Sequence, residues 1–217
     1  MNYTFKSETG VDKWIRENIF TDYGYKGIMV EVGAATPDYI SNSYHWRENG
    51  WRTIGIEPNP YFVDMHKKIG SEIYQYACSD SNIDDVDFII IGNETDDIES
   101  TTFHSFSHIA DTGMNFESMA SNWKEAYEYS NKKTIKINVR TLDSILDELK
   151  INQIDILSID VEGAELKVLG GLNLSEIKPK IIVLENLADA FDFHSVLDEY
   201  GYQMVEKINQ DEIFKLI

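Results

Sequence analysis

Short apolar runs rich in isoleucine and valine alternate along most of the chain with segments whose apolar residues recur at helical spacing. This alternation constrains the fold more than any other feature. GIMVEVGA, RTIGIEPNP, EIYQYACS, IDILSID and KIIVLEN read as strands, and their ends turn small, acidic or proline-containing. Between them, GVDKWIRENIF carries Val11, Trp14, Ile15 and Ile19 on one helical face. ISNSYHWRENG and YFVDMHKKIG read as helices closed by glycine, and TLDSILDELK places Thr141 as an N-cap ahead of Leu142, Ile145, Leu146 and Leu149. EGAELKVLGG and DFHSVLDEYG follow the same pattern. Apolar strands separated by helices belong to a parallel sheet covered on both faces. QMVEKI and EIFKLI close the chain as a turn-linked antiparallel pair. The expected fold is therefore α/β, with a mostly parallel central sheet, helices on both faces and an antiparallel C-terminal hairpin.

The 217 residues suit a single domain, 1–217, with a sizeable core. Residues 93–133 break the alternation. They are polar and dotted with Phe103, Phe106, Phe116, Trp123, Tyr127 and Tyr129, as an insert facing a small-molecule or glycan acceptor would be. Against 38 acidic residues stand 19 basic ones, a net charge of −19 that repels nucleic acid and anionic lipid. Cys78 is the only cysteine, so no internal disulfide forms. The opening MNYTFKSETG lacks the features of a signal peptide, and no apolar run has the roughly 20 residues of a membrane span. A cytoplasmic location is expected; the oligomeric state is not read from these features.

Ligands of such sheets bind at the carboxyl ends of the strands. Here those ends are GAATPD, EPNP, CSD, DVEG and LEN, most of them acidic, and Glu31 lies just inside the first. Gly33 followed about two dozen residues later by Glu57 fits a nucleotide site, with a small residue for close approach and a carboxylate for ribose hydroxyls. The loop after the first strand has one glycine, Pro37 without an N–H, and Asp38, all unfavourable to a pyrophosphate. A cofactor with a ribose, no phosphate and positive charge fits better, and S-adenosylmethionine is such a cofactor. A nicotinamide-dependent reductase and a non-catalytic cofactor-binding domain are the alternatives.

VEVGA, IGIEPNP, YACSD, TLDSIL, IDILSIDVEGAELKVLGGL and IIVLEN occur in order over roughly residues 27 to 187. This succession resembles the FkbM family of S-adenosylmethionine-dependent methyltransferases. The resemblance implies a class I methyltransferase, Rossmann-like fold and O-methylation of a hydroxyl, commonly on a sugar or polyketide-type product. It implies that Glu57, with Pro58 behind it, holds the ribose. It also implies that the loop from Glu31, Gly33 and Ala34 to Ser41 holds the methionine portion, and that Cys78, Ser79 and Asp80 lie along the adenine.

Asp160 ends the IDILSID strand and is the candidate base for the acceptor hydroxyl, as well as a cofactor contact. Glu185, on the next strand end, joins it as a candidate catalytic group. Glu162 is expected to begin a helix, where an acid suits the dipole, Glu165 to lie within that helix, and Gly163 to relieve the turn. Asp160, Glu185 and Asn186 resemble the magnesium set of small-molecule O-methyltransferases, so Mg²⁺ is a candidate. Alternatively, Glu185 and Asn186 hydrogen-bond acceptor or backbone. His45 and His66 are expected on helix surfaces and His194 in a structural role. His104 and His108 lie in the insert, each a candidate base or a packing residue.

Overall fold

The computed structural model of the chain describes residues 4–92, 107–110 and 131–217. The strands of the main sheet are β1 (Ile28–Val32), β2 (Arg52–Ile56), β3 (Glu72–Tyr74), β8 (Ile156–Ile159), β9 (Ile181–Glu185), β10 (Tyr202–Ile208) and β11 (Asp211–Leu216). They form a seven-stranded sheet in the order β10-β11-β9-β8-β1-β2-β3. Pairing from β9 through β3 is parallel, whereas β11 is antiparallel to β9 and to β10. The expected α/β sheet and C-terminal hairpin are both present.

Alternate side chains feed two cores. Val30, Val32, Leu157, Ile159, Ile182 and Leu184 pack with the apolar residues of α4 (Leu142–Leu149) and α5 (Glu165–Gly170). Met29, Ile156, Ile181 and Val183 pack on the other face with α1 (Val11–Asn18) and α2 (Tyr44–Glu48). Thr141 caps α4, its side chain accepting from Ser144 N at 3.2 Å. α3 (Pro60–Lys68) and α6 (His194–Leu197) complete the helices of the described residues.

Three sequence expectations change. EIYQYACS is not one strand. Tyr74 and Tyr76 close a tight turn, N–H to carbonyl at 3.1 Å, and β4 (Ala77–Cys78) leaves the main sheet to pair with β7 (Lys132–Arg140). The runs VDFIIIG and TIKINV also build this second sheet, of order β4-β7-β5-β6, where β5 is Ile83–Ile91 and β6 is His108–Ile109. A small separate core of Ala77, Phe88, Ile137 and Val139 holds it. The β5–β7 pair is the stem of the insert; apart from 107–110 and 131–133, residues 93–133 lie outside the described residues.

The helix read from ISNSYHWRENG is also shorter, Tyr44–Glu48, because residues 40–43 are held as a loop. Lastly, His45 and His66 are buried. The helices are short and turn these positions inward. His45 Nε2 accepts from Arg16 Nε at 3.0 Å, and His66 Nε2 lies 3.2 Å from the Ala35 carbonyl. Arg16 itself is fully buried, its guanidinium 4.4 Å from the Trp46 ring centroid. His194 pairs with Asp198 Oδ1 at 3.2 Å.

Candidate active site

Strand register determines which side chains meet. Glu31, Ser158 and Val183 are aligned across β1, β8 and β9, and the next step brings Gly33, Asp160 and Glu185 to the carboxyl edge. Across the antiparallel pair, Asp211 stands opposite Glu185. Asp160, Glu185 and Asp211 are thus placed on three adjacent strand ends.

A cavity of about 210 Å³ opens at this edge. Seven carboxylates line it: Glu8, Glu31, Glu57, Asp160, Glu162, Glu185 and Asp211. No lysine or arginine does so among the described residues. The remaining wall is mainly apolar, with Ile56, Pro58, Phe62, Tyr76, Cys78 and Phe88, and the second sheet adds Ser107, His108 and Ile109.

Each acid on the β1–β2 side also orders the backbone around it. Glu31 Oε1 accepts the Asn42 N–H at 2.9 Å, which holds the loop ahead of α2, while Asn42 Nδ2 reaches Ser158 at 3.1 Å. Glu31 Oε2 is buried and has no partner among the described residues. Glu57 accepts from Asn59 N at 2.8 Å and from Ala35 N at 3.1 Å. Burial pushes both carboxyls up to about 7; the Ser43 side chain and backbone N–H donors oppose the shift at Glu31, and backbone N–H donors oppose it at Glu57.

The β8–β9–β11 side is more crowded with like charge. Asp160 and Glu185 share a hydrogen bond, and Glu185 Oε2 is buried without a partner among the described residues. Desolvation, then the Glu185, Glu162 and Asp211 charges, raise Asp160 well above the ordinary aspartate value. Desolvation and Glu162 push Glu185 up to about 8. Glu162 rises to about 7 and Asp211 to about 6, burial again leading. Asp160 and Glu185 titrate as a pair, both above the ordinary carboxyl range, so ionisation there is favoured only when positive charge enters the cavity.

The loop after β8 differs from expectation. Glu162 does not open a helix. It sits at φ 57°, followed by Gly163 at φ 99°, and both line the cavity. Glu165 starts α5 and is buried; its Oε1 accepts from Val161 N and Gly163 N, both at 3.1 Å, and so shapes the turn. A non-glycine residue held in the left-handed region at a cleft is local strain retained by this brace.

Gly33 sits at φ 82°, and a Cβ there would lie 1.7 Å from the Asp160 carbonyl oxygen. The demand for glycine comes first from the adjoining strand end.

Among the other predicted residues, Pro58 and Cys78 line the cavity, whereas Ala34, Ser41, Ser79, Asp80 and Asn186 are not among its lining residues. Ser41 Oγ accepts from Tyr44 N at the start of α2, and Ala34 packs against Gly55. Ser79 N bonds to the Arg140 carbonyl, and Asp80 is exposed beyond it. Asn186 Oδ1 accepts from Phe191 N at 3.0 Å, and its Nδ2 donates to Phe191 O and Glu212, each at 2.9 Å. That amide braces the turn after β9. Among the described residues, no group of three or more His, Cys, Asp or Glu could hold a metal ion.

Two lining acids escaped the sequence reading. Asp211 could have been found by laying the last hairpin strand against KIIVLEN, because an antiparallel neighbour starts where β9 ends. Glu8 carries no such signal. It lies on the N-terminal segment, which is tied down by Thr9 Oγ1 donating to Asp211 and by Ser7 Oγ donating to Asp12 at 2.6 Å.

A Rossmann-like sheet with one antiparallel strand inserted beside its last parallel one, and an acid-lined cleft at its carboxyl edge, has the architecture of a methyltransferase. The family model of the Methyltransferase FkbM domain matches residues 31–204, and the chain belongs to that family. A search of curated proteins finds no match. No helix among the described residues is long and apolar enough to cross a membrane.

Proposed function

We propose that the protein is an S-adenosylmethionine-dependent O-methyltransferase acting on a hydroxyl of a saccharide or related small molecule. The observation that carries this reading is the cavity, where, among the described residues, seven carboxylates and no lysine or arginine face one space at the carboxyl edge of a methyltransferase-family sheet. A buried carboxylate without a partner is costly unless a ligand supplies the complement. The unpartnered Glu31 Oε2 and the acidic wall around it suit a cofactor bearing an ammonium and a sulfonium. Glu57, with Pro58 beside it, would hold the ribose, the Glu31–Gly33 segment the amino-acid end, and Tyr76 and Cys78 the adenine side.

When bound, the cofactor supplies a methyl group on a sulfonium that leaves without further activation. The chain's own task is to position the acceptor oxygen, which contributes about 7–11 kcal/mol in favourable cases, and to take its proton. The hydroxyl proton passes to the Asp160–Glu185 pair, whose ionised member is the base; such transfer is worth about 10²–10⁴-fold. The insert, residues 93–133, would select the acceptor, since its stem delivers Ser107, His108 and Ile109 to the cavity wall. The net charge of −19 disfavours nucleic acid as a partner.

Calorimetry with S-adenosylhomocysteine and with NADH tests the cofactor assignment: tight binding of the first is expected, and tighter binding of NADH would overturn it. Mass spectrometry of glycans made with and without the active protein tests the acceptor class, by a methyl-sized increment on a hydroxyl.

A further inference from the structure

The acids on the β1–β2 side are sufficient to explain a cationic cofactor. Those on the β8–β9–β11 side are not. A neutral hydroxyl acceptor needs one base, which the Asp160–Glu185 pair supplies, and it leaves Glu8, Glu162 and Asp211 facing no lysine or arginine among the described residues that line the cavity. Their placement is not incidental. Register sets Asp211 directly across from Glu185. Glu165 braces Glu162 in a left-handed conformation at the cavity wall. Thr9 and Asp211 pin the segment that brings in Glu8. Independently of this cluster, Glu185 is only 7% exposed, lines the cavity, and leaves Oε2 without a partner among the described residues. The Glu185 carboxylate thus lines the acceptor end of a wall whose described residues include no lysine or arginine.

We infer that the acceptor carries an ammonium group, which docks on the Glu185 carboxylate between Glu162 and Asp211 while a neighbouring hydroxyl receives the methyl. The inference rests on the methyltransferase reading above and narrows its acceptor to amine-bearing hydroxyl compounds, such as amino sugars or amino alcohols. An ammonium offers three N–H donors that separate carboxylates can share, whereas a divalent metal needs oxygen ligands in one coordination sphere. The described residues include no group of three or more acidic, His or Cys side chains that could hold a metal. The acidic wall favours the ammonium for a further reason: a charge-assisted hydrogen bond is roughly twice as strong as a neutral one.

The test uses the full chain saturated with S-adenosylhomocysteine, so that the cofactor's own ammonium is already seated. Methylammonium is titrated and followed by NMR line broadening, with magnesium chloride as the competing probe. Saturable binding is expected, weakened about tenfold or more by Glu185→Gln and by Asp211→Asn, in variants whose melting transitions show a folded chain. No saturable binding, equal binding in both variants, displacement of methylammonium by millimolar magnesium, or binding seen only without S-adenosylhomocysteine would each overturn the inference. Failure of S-adenosylhomocysteine itself to bind removes the methyltransferase reading instead, and comparison of wild type with Glu185→Gln then still decides whether the ammonium subsite exists.

Discussion

Strand β8 is bracketed by two aspartates in opposite surroundings. Asp155, at its amino edge, accepts from Tyr25 Oη at 2.6 Å and Ile28 N at 2.8 Å, and pairs with Lys180 Nζ at 2.6 Å. Burial alone would raise its pKa, but these three donors prevail and hold it below the ordinary value. Asp160, at the carboxyl edge, has Glu185, Glu162 and Asp211 as its charged neighbours, and it is raised. One strand therefore carries an acid supplied with donors and an acid surrounded by acids. The first serves the fold. The second is unfavourable until something positive arrives, and that is the mark of a site.

The comparison is tested most severely at Asp160. Asp160→Asn keeps the shape and removes the charge and basicity, so turnover is expected to fall about 10²-fold or more, with cofactor affinity changing far less. Equal losses of binding and turnover would make Asp160 a cofactor ligand, and full activity would remove it from the chemistry.

Next in size is the other acid placed at the cofactor. Glu57→Ala removes a charged acceptor and releases the amides of Ala35 and Asn59. The S-adenosylhomocysteine dissociation constant should rise about 10- to 150-fold, the equivalent of roughly 1.5–3 kcal/mol. Unchanged affinity by calorimetry, in a variant that retains its circular dichroism, would take Glu57 out of the site.

The sequence makes one side of this comparison legible and hides the other. Strand and helix alternation is enough to infer the parallel sheet, because burial on both faces leaves uninterrupted apolar runs. It also locates the carboxyl edge, and with it Glu31, Glu57, Asp160 and Glu185. What it cannot show is pairing. In EIYQYACS nothing local marks the turn at Tyr76 that moves Ala77 and Cys78 into another sheet. Nor does spacing show that the Asn186 amide braces Phe191. His45 and His66 read as surface residues because helical periodicity does not resolve facing in helices of five and nine residues. Asp155 lies within the same quoted run as Asp160, yet no spacing rule separates the neutralised acid from the crowded one. Only Tyr25 and Lys180, distant in sequence, do that.

At the amino edge the effect should appear as stability and nothing else. Asp155→Asn leaves Lys180 and the Ile28 amide with a weaker acceptor. Lys180 is about half exposed and can turn to water, which limits the loss. A destabilisation of about 1–3 kcal/mol is expected, and the change in melting temperature in this size range is about 2–4 °C per kcal/mol. S-adenosylhomocysteine affinity, measured below the transition, should not change. A large drop in affinity with stability intact would mean that the two edges are coupled and not divided as described.

The smallest effect has the opposite sign, and it separates the two aspartates most sharply. Asp160 has a folded pKa well above the ordinary 3.8, so between the two values the folded chain holds a proton that the unfolded chain has lost. Stability then falls as pH rises. Its contribution is fully present below about pH 4 and is lost progressively as pH climbs through the folded pKa. Glu185, raised to about 8 from 4.5, acts in the same direction. For Asp155, whose folded pKa is lowered, the contribution is present above the ordinary value and lost only in acid. Replacing Asp160 by asparagine removes the cost of bringing that carboxylate into the cluster. In the absence of ligand, Asp160→Asn should therefore melt higher than wild type at pH 8, by about 0.5–2 kcal/mol in stability, the range of a typical stabilising substitution at a functional site. At pH 4 the wild-type carboxyl already carries its proton, and the gain should vanish. Asp155→Asn should show the reverse pattern, destabilising at pH 8 and progressively less so in acid. Melting curves of the three proteins at the two pH values decide the matter: a destabilised Asp160→Asn at pH 8 would mean that Asp160, like Asp155, is held by favourable partners.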